Sequence, residues 1–245
     1  MTGTPALFLS AIAAVFGAPV ESCIDDCAAL VHAYAQLGVP AHVRSAAVAV
    51  LNVRTGAAGT YGALLPEWED DRVHGHAVVW LPAHGHLIDV TAEQFPLIAA
   101  AENGPVIVVS ESPSQNAEHA VLQRISVDLR PLSVEYALAD AKITSILLDH
   151  PIVRGQAADY RRRGLNIATA AVHLLARNLP PEADADMPLP RAAALVTAAR
   201  NLPNTVTPQG EVRFVLAEPS GRHRWVDVSQ IPLPDGTPEA LDVAL

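Results

Sequence analysis

The sequence predicts an α+β fold, with a sheet in its first half and mainly helices in its second. Up to about residue 125, short apolar runs alternate with Gly- and Pro-containing turn signals, which is typical of strands and hairpins. From about residue 134, apolar residues recur at helical steps of three and four. The chain has 245 residues, half of them apolar, so it can bury a sizeable core. We predict a core domain over residues 1–125 and a helical extension over 126–245.

The first half is predicted to begin with two helices, over residues 6–17 and 23–37. Gly38 and Pro40 end the second helix, because glycine just past a C-terminus and a nearby proline commonly stop one. The Gly-rich segment RTGAAGTYG is expected to be a loop, and PAHG a hairpin loop. The predicted strands are residues 41–53, 73–81 and 86–91 and the segments VIVVS and AVLQRISVDL.

The second half is predicted to contain three helices, over residues 134–149, 153–178 and 190–201, with a break near Gly164 in the middle one. The Pro-rich segment LPPEADADMPLP separates the last two helices. A final β-hairpin, EVRFVLAEPSGRHRWVDVS, precedes a polar tail. The pattern leaves open whether this half is a separate domain or packs on the first.

The charge and the hydropathy of the chain each exclude one class of partner. The formal net charge is −10 and the chain contains a single lysine, so we expect no nucleic-acid partner; the local run Arg161–Arg163 is interpreted as a solvated helix face. No apolar run reaches about 20 residues, so we expect no membrane span. The apolar N-terminus has no Lys or Arg before Arg44, which favours a buried or amphipathic helix over a secretory signal.

Both cysteines of the chain, Cys23 and Cys27, lie on the first turns of the second predicted helix. A separation of four residues on one helix is unfavourable for a disulfide, so we expect two thiols in a reducing cytoplasm. Cys27 belongs to an apolar stripe that includes Ile24 and Val31, which predicts a buried position. Cys23 follows Ser22 at the helix start, where the helix dipole favours a thiolate. We therefore predict Cys23 as a nucleophile.

A nucleophilic cysteine needs a base, and the base needs an orienting group. The segment HGHAVVWLPAHGHLIDVTAEQF supplies both in one predicted hairpin. With a four-residue loop at 82–85, Thr91 lies opposite His76 and Asp89 lies diagonal to it on the same sheet face. We predict that His76 is the base and that Asp89 orients it.

These segments resemble the transglutaminase-like branch of the papain-fold cysteine enzymes. That group has a C-x-D-x-A nucleophile pattern, then L-G-[IV]-P-A, H-A-W-[VI] and D-P-T; here CIDDCA, LGVPAHV, HAVV and DVT occur in that order. The resemblance covers about residues 20–95 and aligns Cys23, His76 and Asp89 with the catalytic triad. It implies a papain-like core, acyl transfer through an acyl-enzyme on Cys23, a peptide or other amide as substrate, and no cofactor or metal.

Three departures from that pattern leave a second interpretation open. Val78 replaces the aromatic residue after H-A, and Val90 replaces the proline of D-P-T. No Gln, Trp or Tyr precedes Cys23 that could donate a hydrogen bond to an oxyanion, so a second donor beside the Cys23 backbone N–H has to come from elsewhere. The alternative is a catalytically inactive binding module that retains the fold.

A third interpretation is a zinc-dependent hydrolase. His74 and His76, and likewise His84 and His86, are His-x-His pairs that present both side chains to one side of a strand. No familiar ligand spacing is reproduced, and two of these histidines fall at a predicted turn. We interpret His74, His84 and His86 as solvent-facing, and His32, nine residues beyond Cys23 and so about 13 Å along the helix, as too distant to be its base.

Overall fold

The protein has a mixed α+β fold, seen in a computed structural model. The structure describes residues 23–70, 72–101, 107–110, 122–185 and 187–243, so the predicted helix over 6–17 and Ser22 lie outside it. The chain divides into two compact units. The sheet unit comprises Ala41–Ala158 with the first turns of the Cys23 helix, and the helical unit comprises Ala29–Pro40 and the chain from Asp159 onward.

The sheet unit contains a seven-stranded sheet in which every strand pairing is antiparallel. Its strands are β1 (His42–Asn52), β2 (Ala58–Gly62), β5 (His76–Leu81), β6 (His86–Asp89), β7 (Ile107–Ser110), β8 (Leu122–Leu129) and β9 (Leu132–Ala139). The strand order is β7-β6-β5-β1-β9-β8, and β2 pairs with the second half of β1. A separate two-stranded ribbon joins β3 (Glu67–Glu69) to β4 (Arg72–His74).

The hairpin of β5 and β6 has the predicted register. Val79 pairs with Ile88 and Leu81 with His86, which leaves the four-residue loop 82–85. Gly85 closes this loop in the left-handed conformation, with φ of 62°, where glycine carries no steric penalty. Every residue of β5 is buried, because both faces of this central strand are covered.

The prediction for residues 134–149 is wrong in its first part. Residues Leu132–Ala139 form strand β9, and the helix α3 (Ala141–Leu148) begins only after Asp140, which accepts a hydrogen bond from the Ile143 N–H as its N-cap. The high helix propensity of these residues is outweighed by burial in the sheet, where alternate apolar side chains of β9 face the core. β8 runs across residue 125, so the sheet continues past the predicted boundary between core and extension. The predicted loop RTGAAGTYG likewise contains β2.

The helices have the following bounds: α1 (Cys23–Gln36), α2 (Pro96–Ala99), α3 (Ala141–Leu148), α4 (Pro151–Gly155), α5 (Ala157–Asn178), α6 (Glu182–Ala185) and α7 (Pro190–Arg200). The predicted helices over 23–37 and 190–201 are confirmed as α1 and α7. The terminal hairpin is also confirmed: β11 (Val212–Ala217) pairs with β12 (His223–Val226) and with β10 (Asn204–Val206). The buried Phe214 belongs to this hairpin.

The predicted break near Gly164 is wrong, because α5 continues through this residue and the interruption lies at Gln156. Gly164 instead permits close helix packing within the helical unit. A Cβ atom added there would lie 2.5 Å from the His32 Cβ and 2.6 Å from the Ala29 carbonyl oxygen. The glycine is therefore a packing residue of α5 against α1 rather than a helix breaker.

Gly164→Ala is expected to lower the free energy of unfolding by about 1–3 kcal/mol, because the added methyl group overpacks this contact. Gly155→Ala is the matched control: no atom lies within 4 Å of its added Cβ, so we expect a change between zero and a gain of about 1 kcal/mol. Urea unfolding of the two variants measures the difference. Equal stability of both would contradict the packing role of Gly164.

Candidate functional site

His76 and Asp89 form a buried pair in the sheet unit. The first residue of β5 and the last residue of β6 carry these side chains, and the hairpin register places them diagonally on one sheet face. The His76 Nε2 atom lies 2.9 Å from the Asp89 Oδ2 atom, and the side chains are 1% and 0% exposed. The predicted diagonal arrangement is therefore present, with the two groups in direct hydrogen-bond contact.

Both carboxylate oxygens of Asp89 accept further hydrogen bonds. Oδ2 also accepts from the Tyr136 hydroxyl at 3.0 Å. Oδ1 accepts from the Thr91 backbone N–H at 3.0 Å and from the Thr91 hydroxyl at 3.4 Å. A carboxylate that accepts several hydrogen bonds is held in one orientation. Asp89 is thus fixed in place, and it orients the imidazole through Nε2.

Cys23 is the first described residue of α1, and its side chain is within hydrogen-bonding contact of His76. Its side chain is buried and 6% exposed. Asp89 engages His76 Nε2, and the other ring nitrogen, Nδ1, lies 3.0 Å from the side-chain nitrogen of Gln94. The structure therefore brings together the three residues predicted from the sequence, Cys23, His76 and Asp89, in one chain of contacts.

Charges and hydrogen bonds around His76 favour its protonated form. Burial alone lowers the pKa of His76, but the charge of Asp89 and its hydrogen bond outweigh burial, and Cys23 adds a smaller contribution of the same sign. Together they raise the pKa of His76 from 6.5 to about 10. The site can therefore hold a proton on an imidazole that faces a thiol.

Cys27 has the buried position predicted for it. Its side chain is 0% exposed, and its Sγ atom contacts the Ala77 carbonyl oxygen at 3.4 Å. Burial raises the pKa of the Cys27 thiol well above its usual value, and the negative groups Cys23, Asp89 and Asp26 act in the same direction. Both cysteines are thiols, but Cys27 is an inert one.

Aromatic rings and a glycine surround the imidazole. Phe95 presents its ring to His76 at 4.8 Å between centroids and 68° between planes, and Tyr61 stacks on Phe95 at 4.5 Å. Gly62, at the end of β2, approaches His76 so closely that an added Cβ would lie 2.6 Å from the His76 Cβ. These contacts restrict the position of the imidazole ring.

Three contributors to this site are not predicted from the sequence. Tyr136 lies in a segment that the sequence predicts to be helical, although the alternation of Leu132, Val134, Tyr136 and Leu138 is typical of a strand. Gln94 follows Asp89 by five residues and places its side-chain nitrogen 3.0 Å from His76 Nδ1. Gly62 lies in the segment that was predicted to be a loop. For Gln94 and Gly62 the sequence has no local signal, because their contacts are with residues far along the chain.

The remaining histidines considered for a metal site lie apart from this cluster. His74 contacts Glu69 at 3.1 Å on the surface, and the rings of His84 and His86 lie 6.1 Å apart. Burial lowers the pKa of both His84 and His86. Within the described part of the chain, no group of three or more His, Cys, Asp or Glu residues is arranged to hold a metal ion.

Comparison of the chain with family models, with curated proteins and with solved structures gives no match. Among the described helices, none combines the length and the apolar character needed to cross a membrane.

Proposed function

We propose that the protein is a thiol acyl-transfer enzyme with a Cys–His–Asp triad, a member of the transglutaminase-like group with a papain-like core. The observation that carries the proposal is the contact chain from Cys23 through His76 to Asp89, in which each member is buried. A nucleophile, a base and an orienting carboxylate in this arrangement are the parts that acyl transfer through cysteine requires.

The proposed reaction has two half-reactions on one sulfur atom. The Cys23 thiolate attacks the carbonyl carbon of an amide or thioester, and an S–C bond forms while the carbonyl π electrons move to oxygen. Collapse of this intermediate expels the amine, which takes a proton from His76, or the thiol, and leaves an acyl-enzyme. Water or an amine then attacks the acyl carbon and gives a proton to His76, and the S–C bond breaks, which yields an acid or a new amide and restores the Cys23 thiolate.

The order of the sequence motifs supports the family assignment. The transglutaminase-like group has a nucleophile motif, a helix-end motif, a histidine motif and an aspartate motif in this order. The corresponding segments here are CIDDCA, LGVPAHV, HAVV and DVT. We therefore propose peptides or other amide-containing molecules as substrates and no cofactor. The two thiols suit a reducing compartment, so we propose that the enzyme acts in the cytoplasm.

Alkylation by iodoacetamide tests the thiol–imidazole pair without a known substrate. The second-order rate is measured at pH 6.5 and at pH 10.5 for the wild type and His76→Ala, and mass spectrometry locates the modified cysteine. An ordinary thiol is only about 1% ionised at pH 6.5. We expect the ratio of the rate at pH 6.5 to that at pH 10.5 to be at least about tenfold higher for Cys23 in the wild type than in His76→Ala.

Cys27 serves as the internal control, because the same sample reports on a buried thiol with a raised pKa. Cys23→Ser is expected to abolish the fast modification and to leave Cys27 unmodified. If the rate ratio of Cys23 is the same with and without His76, no thiol–imidazole pair exists and the enzyme proposal fails.

The rival function is a binding module that has kept the fold. Two observations favour this rival. The side chain of Cys23 is only 6% exposed, which limits access to it, and Val78 and Val90 depart from the motif of the transglutaminase-like group. This rival predicts that Cys23 is alkylated slowly at both pH values and that His76→Ala does not change the ratio of the two rates. The same experiment therefore separates the two functions.

A further inference from the structure

We infer that Tyr136 is a positioning residue whose hydroxyl shares one carboxylate oxygen of Asp89 with His76 and so loosens the hold of Asp89 on the protonated imidazole. A looser hold eases the transfer of the His76 proton to a leaving group. The inference rests on the proposed function, because it concerns the base of the same triad. It adds a residue of β9 that adjusts how tightly this base keeps its proton.

Two side chains converge on one oxygen atom of Asp89. The His76 Nε2 atom lies 2.9 Å from Asp89 Oδ2, and the Tyr136 hydroxyl donates to the same Oδ2 at 3.0 Å. Thr91 donates to the other oxygen, Oδ1, with its backbone N–H and its hydroxyl. Tyr136 therefore acts on the oxygen that also contacts the imidazole.

The ring of Tyr136 has a packing role that is separate from its hydroxyl. Tyr136 is 0% exposed and belongs to an apolar cluster on the sheet, where Val48 of β1 and Ile125 of β8 lie opposite it. A phenylalanine ring would fill this position as well, whereas a buried phenol hydroxyl needs a hydrogen-bond partner. Asp89 is that partner, so the hydroxyl acts on the carboxylate rather than on the core.

The Tyr136 hydroxyl weakens the attraction between Asp89 and the imidazolium. Its hydrogen carries a partial positive charge beside Oδ2, so it offsets part of the negative charge that His76 meets there. Burial lowers the pKa of His76, whereas the charge of Asp89 and its hydrogen bond raise this pKa, to about 10. Tyr136 acts against the effect of Asp89 and moves the proton affinity of His76 back toward neutral pH, where a group that gives its proton away is most effective.

The titratable groups around the pair leave this role to Tyr136 near pH 7. Asp89 and Cys23 act on His76 directly. The Cys27 thiol and the Tyr136 hydroxyl both sense the charge of Asp89. Burial raises the pKa of each of these two groups well above its usual value, and Asp89 acts in the same direction, so both are neutral near pH 7. Tyr136 therefore acts as a neutral donor and not as a second charge.

The test follows the titration of the His76 ring by NMR from about pH 5 to about pH 11, in Cys23→Ala and in Cys23→Ala with Tyr136→Phe. Cys23→Ala removes the thiol, so the midpoint reports on the imidazole and Asp89, and His76→Ala assigns the signal. Phenylalanine keeps the ring and removes the hydroxyl. We expect Tyr136→Phe to raise the midpoint by about 0.3–1 pH unit, which is about a two- to tenfold gain in proton affinity.

Tyr160→Phe is the matched control, because it removes the hydroxyl of another buried tyrosine, in the helical unit, and should leave the midpoint unchanged. Thr91→Val is a second variant at the carboxylate. It removes the longer hydroxyl contact, 3.4 Å from Oδ1, so we expect a smaller rise of the same sign. A role of Tyr136 in packing alone would leave the midpoint where it is in all three variants.

An unchanged or lowered midpoint in Tyr136→Phe, or an equal rise in Tyr160→Phe, overturns the inference. The proposed function is tested separately, by the ratio of the Cys23 alkylation rates with and without His76. If this ratio falls in His76→Ala while Tyr136→Phe leaves the midpoint unchanged, the inference alone fails. If His76→Ala leaves the ratio unchanged, the proposed function fails and the inference fails with it.

Discussion

Replacement of Asp89 by asparagine is expected to lower the free energy of unfolding by about 3–5 kcal/mol at pH 7, because it leaves the buried His76 without its opposite charge. It also removes the anion that accepts from Tyr136 and Thr91. Guanidinium or urea unfolding measures the loss. The same variant should reduce the Cys23 alkylation ratio toward that of His76→Ala, since the imidazole loses the charge that favours its protonation.

The pH dependence of this loss has a definite sign. The pKa of His76 is raised from 6.5 to about 10 in the folded protein, so its contribution to stability is fully present below about pH 6.5. It is lost as the pH rises through about 10. The stability difference between the wild type and Asp89→Asn should therefore be largest near pH 6 and should shrink on the alkaline side.

Asp128→Asn is the control for the charge change. Asp128 pairs with Arg130 on the surface, where the two side chains are 66% and 87% exposed, and exposed ion pairs contribute at most about 1 kcal/mol. A loss of the same small size in Asp89→Asn, or a difference that does not change between pH 6 and pH 10, would show that Asp89 does not stabilise a protonated His76.

Gly62→Ala is expected to have the second large effect, a loss of about 2–5 kcal/mol together with a fall in the Cys23 alkylation ratio. The φ of 68° costs alanine about 1–2 kcal/mol, and overpacking adds about 1–3 kcal/mol. The added Cβ would lie 2.6 Å from the Ala46 carbonyl oxygen and 2.6 Å from the His76 Cβ. The strain is relieved only if β2 or His76 moves, and either movement disturbs the imidazole.

Gly56→Ala separates backbone strain from this contact. Gly56 has a similar φ of 74°, but no atom lies within 4 Å of its added Cβ. We expect only the backbone term of about 1–2 kcal/mol and an unchanged alkylation ratio. Equal losses of stability and reactivity in both variants would mean that the approach of Gly62 to His76 has no role in holding the imidazole.

Much of the site was predictable because its parts are local. The helix that carries Cys23 follows from the apolar stripe through Ile24, and the register of His76 against Asp89 follows from a four-residue loop. Alternation along a strand is a short-range property, so a two-strand hairpin can be placed from the sequence.

Other parts were not predictable, because long-range pairing decides them. Residues 134–139 have good helix propensity, yet they belong to β9, because this strand pairs with β1 on one side and with β8 on the other. Tyr136 reaches Asp89 only through that pairing. Gly164 has the propensity of a helix breaker, but α5 continues through it, because the missing side chain allows contact with His32 and Ala29.

The sequence by itself determined the α+β class, the helix that carries Cys23 and Cys27, and the hairpin that carries His76 and Asp89. Helix periodicity and strand alternation depend only on residues within a few turns or one loop, so both can be recognised in the sequence. Only the tertiary structure decided that Tyr136 donates to Asp89, that Gly62 adjoins His76 and that the Gln94 side chain contacts Nδ1. These contacts join residues whose distance in space depends on the order and curvature of the whole sheet. A local sequence pattern therefore does not predict them.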